Sequence, residues 1–489
     1  MTSTQTLPTE TRLRALAVAT MLPGFTGSTL PEWVGAELRA GLGGVCLYGG
    51  NIRDHRQLEA LCAQVRGASP GALLALDEEG GDVTRLHYLQ GSNQPGNAVL
   101  GRLDDPQVTA AAAAAIGAEL RALGVNLNLA PDADVNSNPL NPVIGARSFG
   151  ANAPLVARHT AAWVRGLQGT GVAACAKHFP GHGDTSADSH LELPSVAADL
   201  QTLRGRELAP FAAAIAAGVG AIMTSHLMLP ALDEQVPATF SRRILTDLLR
   251  GELGFGGAIV TDALDMAGAS AETGIEAAAV RALAAGADLL CLGVDIDQGL
   301  YERTVGHIVQ AVQRGELTLQ RLRQAAANSA ALARRFPANR PASPAAAVAA
   351  AEISPGVPTG GQITAAFDLN GHARTWLADP APAALVQVDS QANMAVGFVP
   401  WGPACLGADI PLQRVAPGQK IALIGRGLDA AHPVPALAQR LRAQGRQVLV
   451  VDCGWPRAQA GADVITFGAS RAVSAALVEL LTGTNGGRA

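Results

Sequence analysis

The feature that most constrains this chain is a series of eight short apolar runs: Leu16–Leu22, Gly44–Leu47, Ala72–Leu76, Val125–Leu129, Val172–Ala176, Val219–Met223, Ala258–Val260 and Asp288–Leu292. Each is near strand length. Continuous apolar runs of this size suit strands buried on both faces of a parallel sheet, although periodicity alone does not separate them from buried helix. The segments between them decide. After Asp54 as an N-cap, Leu58, Leu61, Cys62 and Val65 fall at i, i+3, i+4 and i+7, the spacing of one buried helix face. Helical spacing recurs over Pro106–Leu123, Pro154–Leu167, Asp199–Ala217, Ser241–Leu253 and Ala271–Ala285. Eight strands alternating with helices predict a (β/α)8 barrel rather than an open doubly wound sheet. Such barrels collect their chemistry at the C-terminal ends of strands, and Asp77, Lys177, His178, His226 and Asp262 each lie at or just past the end of a run.

The chain has 489 residues, more than one barrel needs, so a second domain is expected. The stretch 336–361, FPANRPASPAAAVAAAEISPGVPTGG, reads as a linker. It divides a barrel domain, 1–335, from a C-terminal domain, 362–489. The latter has strand-like runs at Ala384–Val388, Ile421–Ile424, Val448–Val451 and Val464–Phe467 and a helical stretch at Ala436–Ala443, which predict a small α/β sandwich. With 36 basic residues against 41 acidic ones, the net charge of −5 offers no surplus for phosphate neutralisation, so nucleic acid is not an expected partner. No uncharged run is long enough to span a bilayer, and no membrane partner is expected. Cys46, Cys62, Cys175, Cys291, Cys405 and Cys453 are scattered singly and read as reduced core residues. The first 25 residues lack a signal-peptide pattern, so a cytoplasmic location is expected.

The densest chemistry lies in Lys177–Pro194, KHFPGHGDTSADSHLELP, where three histidines, two aspartates and a lysine follow a buried strand. Such a segment is expected to form a functional loop above the barrel rather than core. Asp262, just after Ala258–Val260, reads either as a helix N-cap or as a poised nucleophile. Asp265, one turn onward, is expected to face solvent.

Here the chain resembles glycoside hydrolase family 3, in its β-N-acetylglucosaminidase branch. The signature from Lys177 to His190 is supported by LDEEGG (Leu76–Gly81), NPLNPVIGARSFG (Asn138–Gly150), IMTSH (Ile222–His226), PATFS (Pro237–Ser241) and VTDALDM (Val260–Met266). The motifs follow the family's order over about residues 15–310. The resemblance implies a retaining exo-β-N-acetylglucosaminidase with no cofactor and no catalytic metal. Asp262 takes the nucleophile's position. His190 takes that of the general acid/base, with Asp188 as its partner, whereas most retaining glycosidases use two carboxylates. An imidazole with a pKa near about 6.5 can protonate a leaving oxygen and then deprotonate water. Implied sugar contacts are Asp77, Arg85, Arg147, Lys177 and His178, although a structural ion pair is an equally good reading of Arg147. The family's usual E-G-G-R-V is here Glu79-Gly80-Gly81-Asp82-Val83, a reversed charge near the site. Glu78, Glu79 and His226 are expected to be structural. The implied partner is a small carbohydrate, a GlcNAc-containing saccharide or muropeptide, and the scarcity of aromatic residues (10 Phe, 5 Trp, 3 Tyr) favours one recognised terminal sugar. The second domain is not needed to complete such a site. The sequence leaves the oligomeric state open.

Three other readings compete. His178, His182, Asp184, Asp188 and His190 are ligand types that suit zinc, without a known zinc spacing. Gly425-Arg-Gly427-Leu-Asp-Ala430 follows a strand, with Asp452 ending the next one, as in half a dinucleotide fold, but Pro433 and Pro435 sit where the phosphate-binding helix should begin. Third, a phosphorylase would use the same site, because a histidine acid/base does not repel a phosphate dianion.

Overall fold

The computed structural model describes residues 9–189, 191–271, 273–338, 356–388, 390, 394–457 and 461–483. Most of the expected linker, 339–355, lies outside them. Eight strands form the N-terminal sheet: β1 (Met21–Pro23), β2 (Gly44–Leu47), β3 (Leu73–Leu76), β4 (Leu127–Asn128), β5 (Ala173–Phe179), β6 (Ala221–Thr224), β7 (Ala258–Val260) and β8 (Leu290–Gly293). All pairings among them are parallel. β2 to β7 pair in sequence order, a Val260–Leu289 bridge leads to β8, and β8 pairs with β1. Gly43 N donates to Val18 O beside β2, so the sheet curls back towards its own start as a (β/α)8 barrel.

Alternation along the strands divides two cores. Leu22, Cys46, Leu73, Ala75, Leu127, Cys175, Met223, Val260 and Cys291 fill the barrel, and Leu332 and Phe336 join that cluster. The alternate positions, among them Val45, Leu74, Ala174 and Ile259, pack under the outer helices. Asp54 caps the helix His55–Ala68 by accepting from Gln57 N, as expected. Two expectations are corrected. Only the end of Leu16–Leu22 is strand, because the helix Glu10–Val18 takes the first part of that apolar run. The helix expected over Asp199–Ala217 is interrupted by a π-helical segment, Leu203–Glu207.

The C-terminal residues form a second sheet in the order β10-β11-β12-β13-β9. Its strands are β9 (Asp368–Leu369), β10 (Ala383–Gln387), β11 (Lys420–Gly425), β12 (Val448–Asp452) and β13 (Val464–Ile465). β9 is antiparallel at one edge, and the other pairings are parallel. One face packs on the helices Gly371–Ala378 and Arg471–Thr482, the other on Pro433–Ala443, giving the α/β sandwich. The strand expected to reach Phe467 stops at Ile465; Phe467 has φ 57°, outside the extended region. The barrel's helix Asn97–Leu103 buries Ala98 and Val99 in this second core, which joins the two parts. No helix among the described residues is long and apolar enough to cross a membrane.

Candidate active site

Above the C-terminal mouth of the barrel lies a cavity of about 230 Å³ lined by Asp77, Arg85, Arg147, Lys177, His178 and Asp262. These include every expected sugar contact and the expected nucleophile. Asp77 follows β3, and the loop after it carries Glu79 and Arg85. Lys177 and His178 lie within β5, which runs three residues past the end of the expected strand, and are joined by a cis peptide bond. They are also buried, with Lys177 2% exposed. The first two residues of the signature thus form part of the cavity wall, and the rest continues as the loop after β5.

A compact ionic network holds that wall. Lys177 Nζ lies 2.6 Å from Asp77 Oδ1 and 2.8 Å from Glu79 Oε1. Arg147 donates to both Glu79 oxygens, Nε at 3.0 Å and Nη2 at 2.8 Å, the planar fork that guanidinium and carboxylate match best. Arg147 is therefore an ion-pair residue that also faces the cavity. Burial disfavours charge on Lys177, but Asp77 and Glu79 outweigh it and hold the ammonium above the ordinary lysine value. Burial likewise works against ionised Glu79, yet Arg147 and Lys177 keep its carboxyl well below the usual range. Lys177 stays a cationic donor and Glu79 an anion at any pH where the protein works.

His178 is aimed by Asp134. Its Nδ1 lies 2.7 Å from Asp134 Oδ2, so Nε2 is turned towards the cavity, 3.4 Å from Arg147 Nη2. Burial raises the Asp134 pKa, but the His178 charge outweighs it and the carboxyl sits below its ordinary value. The other oxygen of Asp134 accepts from the backbone of His182 at 2.7 Å, tying the following loop to the same point. A Cβ at Gly183 would lie 1.8 Å from the Val135 carbonyl oxygen, so that close approach needs glycine.

Asp262 sits in a turn after β7, with Oδ1 accepting from Ala263 N at 2.8 Å. The helix that follows begins at Ala267 with Met266 as its N-cap, which removes the N-cap reading of Asp262. His226 is fully buried beneath that turn; its Nε2 donates to Ala263 O at 3.0 Å and its Nδ1 pairs with Thr239 Oγ1. This matches its expected structural part. Asp265 is exposed, as expected, but also borders the cavity, accepting from Val294 N. Glu78 is buried in the loop after β3, where it accepts from Thr84, Arg85 and Leu86.

Of the expected acid/base pair, Asp188 is buried at the end of the loop after β5, and His190 lies outside the described residues. The loop is pinned on both sides: His182 Nε2 pairs with Ser189 Oγ at 3.0 Å, and Arg206 Nη2 with Asp184 Oδ2 at 2.5 Å. Sequence reasoning missed the parts played by Tyr48, Met223, Asp132 and Asp134. It also missed the second domain, whose Met394 and Ala395 line the cavity.

The rival constellations fare differently from the cavity residues. Of the zinc-type set, His182 pairs with Thr185 and Ser189, Asp184 with Arg206, and His178 with Asp134, while His190 lies outside the described residues. Among the described residues, Asp132, Asp134 and His178 could place one ligand atom each within 4.8 Å of one another. Arg147 Nη2 already stands 3.7 Å from Asp132 Oδ2 and supplies the positive charge there. In the second domain, the glycine turn's amides are occupied from within. Gly427 N and Leu428 N donate to the two oxygens of Asp452 at 2.8 and 3.1 Å, where a bound phosphate would otherwise accept.

Among curated proteins, the chain is 36% identical over 336 residues to β-hexosaminidase A of Pseudoalteromonas piscicida, covering 63% of this chain and 56% of that protein. It therefore spans little more than half the length of that relative. It is 37% identical over 262 residues to a β-hexosaminidase of Pseudomonas aeruginosa, covering 53% of this chain and 78% of the relative. Among solved structures, a glycoside hydrolase family 3 β-N-acetylglucosaminidase from Paenibacillus sp. str. FPU-7 superposes with a TM-score of 0.83 at 31% identity, covering 98% of this chain and 97% of that one. The profile of the glycosyl hydrolase family 3 N-terminal domain matches residues 29–331, which hold every cavity-lining residue except Met394 and Ala395, and on that match the chain belongs to glycosyl hydrolase family 3.

Proposed function

We propose that this protein is a retaining exo-β-N-acetylglucosaminidase acting on terminal β-linked GlcNAc of short saccharides. The observation that carries the reading is the convergence of Asp262 with Asp77, Arg85, Arg147, Lys177 and His178 on one small cavity. Asp77 accepts from sugar hydroxyls, while Arg85, Arg147, Lys177 and His178 donate to them. Asp262 attacks the anomeric carbon as His190, held by Asp188, protonates the departing oxygen. His190 then takes a proton from water as the water oxygen displaces Asp262. The names of the relatives above support GlcNAc as the sugar. Peptidoglycan fragments are the proposed substrates, with chitin oligosaccharides as the alternative. All six cysteines are unpaired, which supports work in the cytoplasm. Residues 1–335 form the catalytic domain in this reading, 336–361 the linker and 362–489 the second domain.

The test is release of an aryl leaving group from an aryl β-N-acetylglucosaminide against the matching β-glucoside, in chelator, with and without phosphate. Fast release from the GlcNAc compound alone, unchanged by phosphate, is expected. Release that requires phosphate would replace water by phosphate as acceptor, loss in chelator would reinstate the metal, and no release from either compound would refute the proposal.

A further inference from the structure

The loop after β3 is held from two directions. From inside, the Glu78 carboxylate accepts from the Thr84 hydroxyl and from the Arg85 and Leu86 amides, all at 2.8 Å. From outside, the second domain meets it at successive residues. Asp82 Oδ1 accepts from Ala469 N at 2.7 Å, and Asp82 Oδ2 lies 4.0 Å from Arg426 Nη1. Val83 packs with Val396 and Val399. Arg85 Nη2 donates to Ala395 O at 3.0 Å, and Tyr88 Oη accepts from Phe398 N at 3.2 Å. The same Arg85 Nη2 stands 3.9 Å from Asp77 Oδ2. The second domain therefore bears directly on where Arg85 stands beside Asp77, which Lys177 holds from the other side.

Asp82 is the charged point of this seam. Its side chain is 10% exposed, and the Arg426 guanidinium facing it lies over the Trp401 ring at 5.1 Å. An arginine at this position, which the sequence resemblance leads one to expect, would set two guanidiniums against each other and leave Ala469 N without its acceptor. Asp82 and Arg426 are thus a matched pair across the seam.

We propose that Asp82 is a positioning residue for sugar binding: by fastening the loop after β3 to the second domain, it holds Arg85 against Asp77 in the geometry that receives the terminal sugar. The proposal rests on the sugar-binding reading of the cavity given above. Because Asp77 and Arg85 grip the sugar alike before and during reaction, loss of the fastening removes uniform binding and acts on KM rather than kcat.

The test compares Asp82→Ala, Asp82→Asn, Arg85→Ala and Asp82→Ala/Arg85→Ala in the full-length protein on the aryl β-N-acetylglucosaminide. Asp82→Ala is expected to raise KM about tenfold with kcat within about twofold, as for one lost charge-assisted contact. Asp82→Asn, which keeps an oxygen for Ala469 N, should recover most of the loss. In the Arg85→Ala background, Asp82→Ala should add nothing, since the two act as one unit. Backbone hydrogen exchange over residues 77–88 should quicken in Asp82→Ala whether or not the protein turns over. An unchanged KM, multiplicative effects in the double variant, or a joint collapse of kcat and melting temperature would overturn the proposal. If the parent protein releases no aryl group, the proposed function fails and exchange alone decides the fastening: quickened exchange sustains it, unchanged exchange refutes it.

Discussion

Replacing Glu79 by glutamine tests the electrostatics of the sugar cavity's rear wall. The Glu79 carboxylate is 2% exposed and accepts from Arg147 Nε and Nη2 at 3.0 and 2.8 Å, with Lys177 Nζ 2.8 Å away. Glutamine keeps one oxygen but turns an amide NH2 towards two cationic donors and leaves the buried cluster with excess positive charge. Removing one partner of a buried ion pair destabilises by about 3–5 kcal/mol. Two neighbours soften the loss. Asp77 remains 2.6 Å from Lys177, and Asp132, whose carboxyl burial holds well above its ordinary range, stands 3.7 Å from Arg147 and can ionise in reply. The lower end, about 3 kcal/mol, is therefore expected, and at roughly 2 °C per kcal/mol for a large domain the melting temperature falls by about 6 °C. Because the folded carboxyl of Glu79 is held below its unfolded value, its contribution is full above pH of about 4.3 and fades as pH falls towards the folded value. Scanning calorimetry should show the gap between parent and variant at neutral pH and its narrowing below about pH 4. A neutral-pH gap under about 1 °C, or one that stays constant into acid, would refute the reasoning.

Two further outcomes follow from the site. His190→Ala should slow hydrolysis of GlcNAc linked to a poor leaving group by about 10²–10⁴-fold while sparing its attack on activated aryl glycosides; equal losses on both substrates would remove the acid role. Burial lifts the Glu207 carboxyl to about 7 against the opposing Arg206 charge, so its stabilising effect is full below pH of about 4.3 and is lost as pH rises from there to about 7. The parent's melting temperature should thus decline between about pH 4.5 and 7 more steeply than that of Glu207→Gln, and parallel profiles would contradict this.

How far the fold was legible depended on the type of contact. β2 and β7 occupy the apolar runs residue for residue, because a strand buried on both faces leaves no polar alternation to blur its limits. Leu16–Leu22 misled because a buried helix end and a strand follow each other with only Ala19 and the buried Thr20 between them. Asp77, Arg85, Arg147, Lys177, His178 and Asp262 were found in charged motifs, since a buried Lys177 or Arg147 must bring its counter-ion with it, but Glu79 and Asp265, expected to be structural and solvent-facing, also line the cavity. Asp132, Asp134 and Tyr48 were not found, because their part is fixed by strands far apart in sequence. Met394 and Ala395 carry no chemical signal of their own and enter the site only through the packing of the second domain on the first.

The carboxylate of Asp452 has a consequence for how the second domain lives in the cell. A glycine turn whose amides wait for a soluble anion is ordered only while that anion is abundant, and its stability rises and falls with the metabolite's concentration. Here the anion is a covalent part of the chain, held between Gly427 and Leu428 at fixed effective concentration. The turn beside Arg426 thus carries its own acceptor and needs no bound anion to satisfy these two amides.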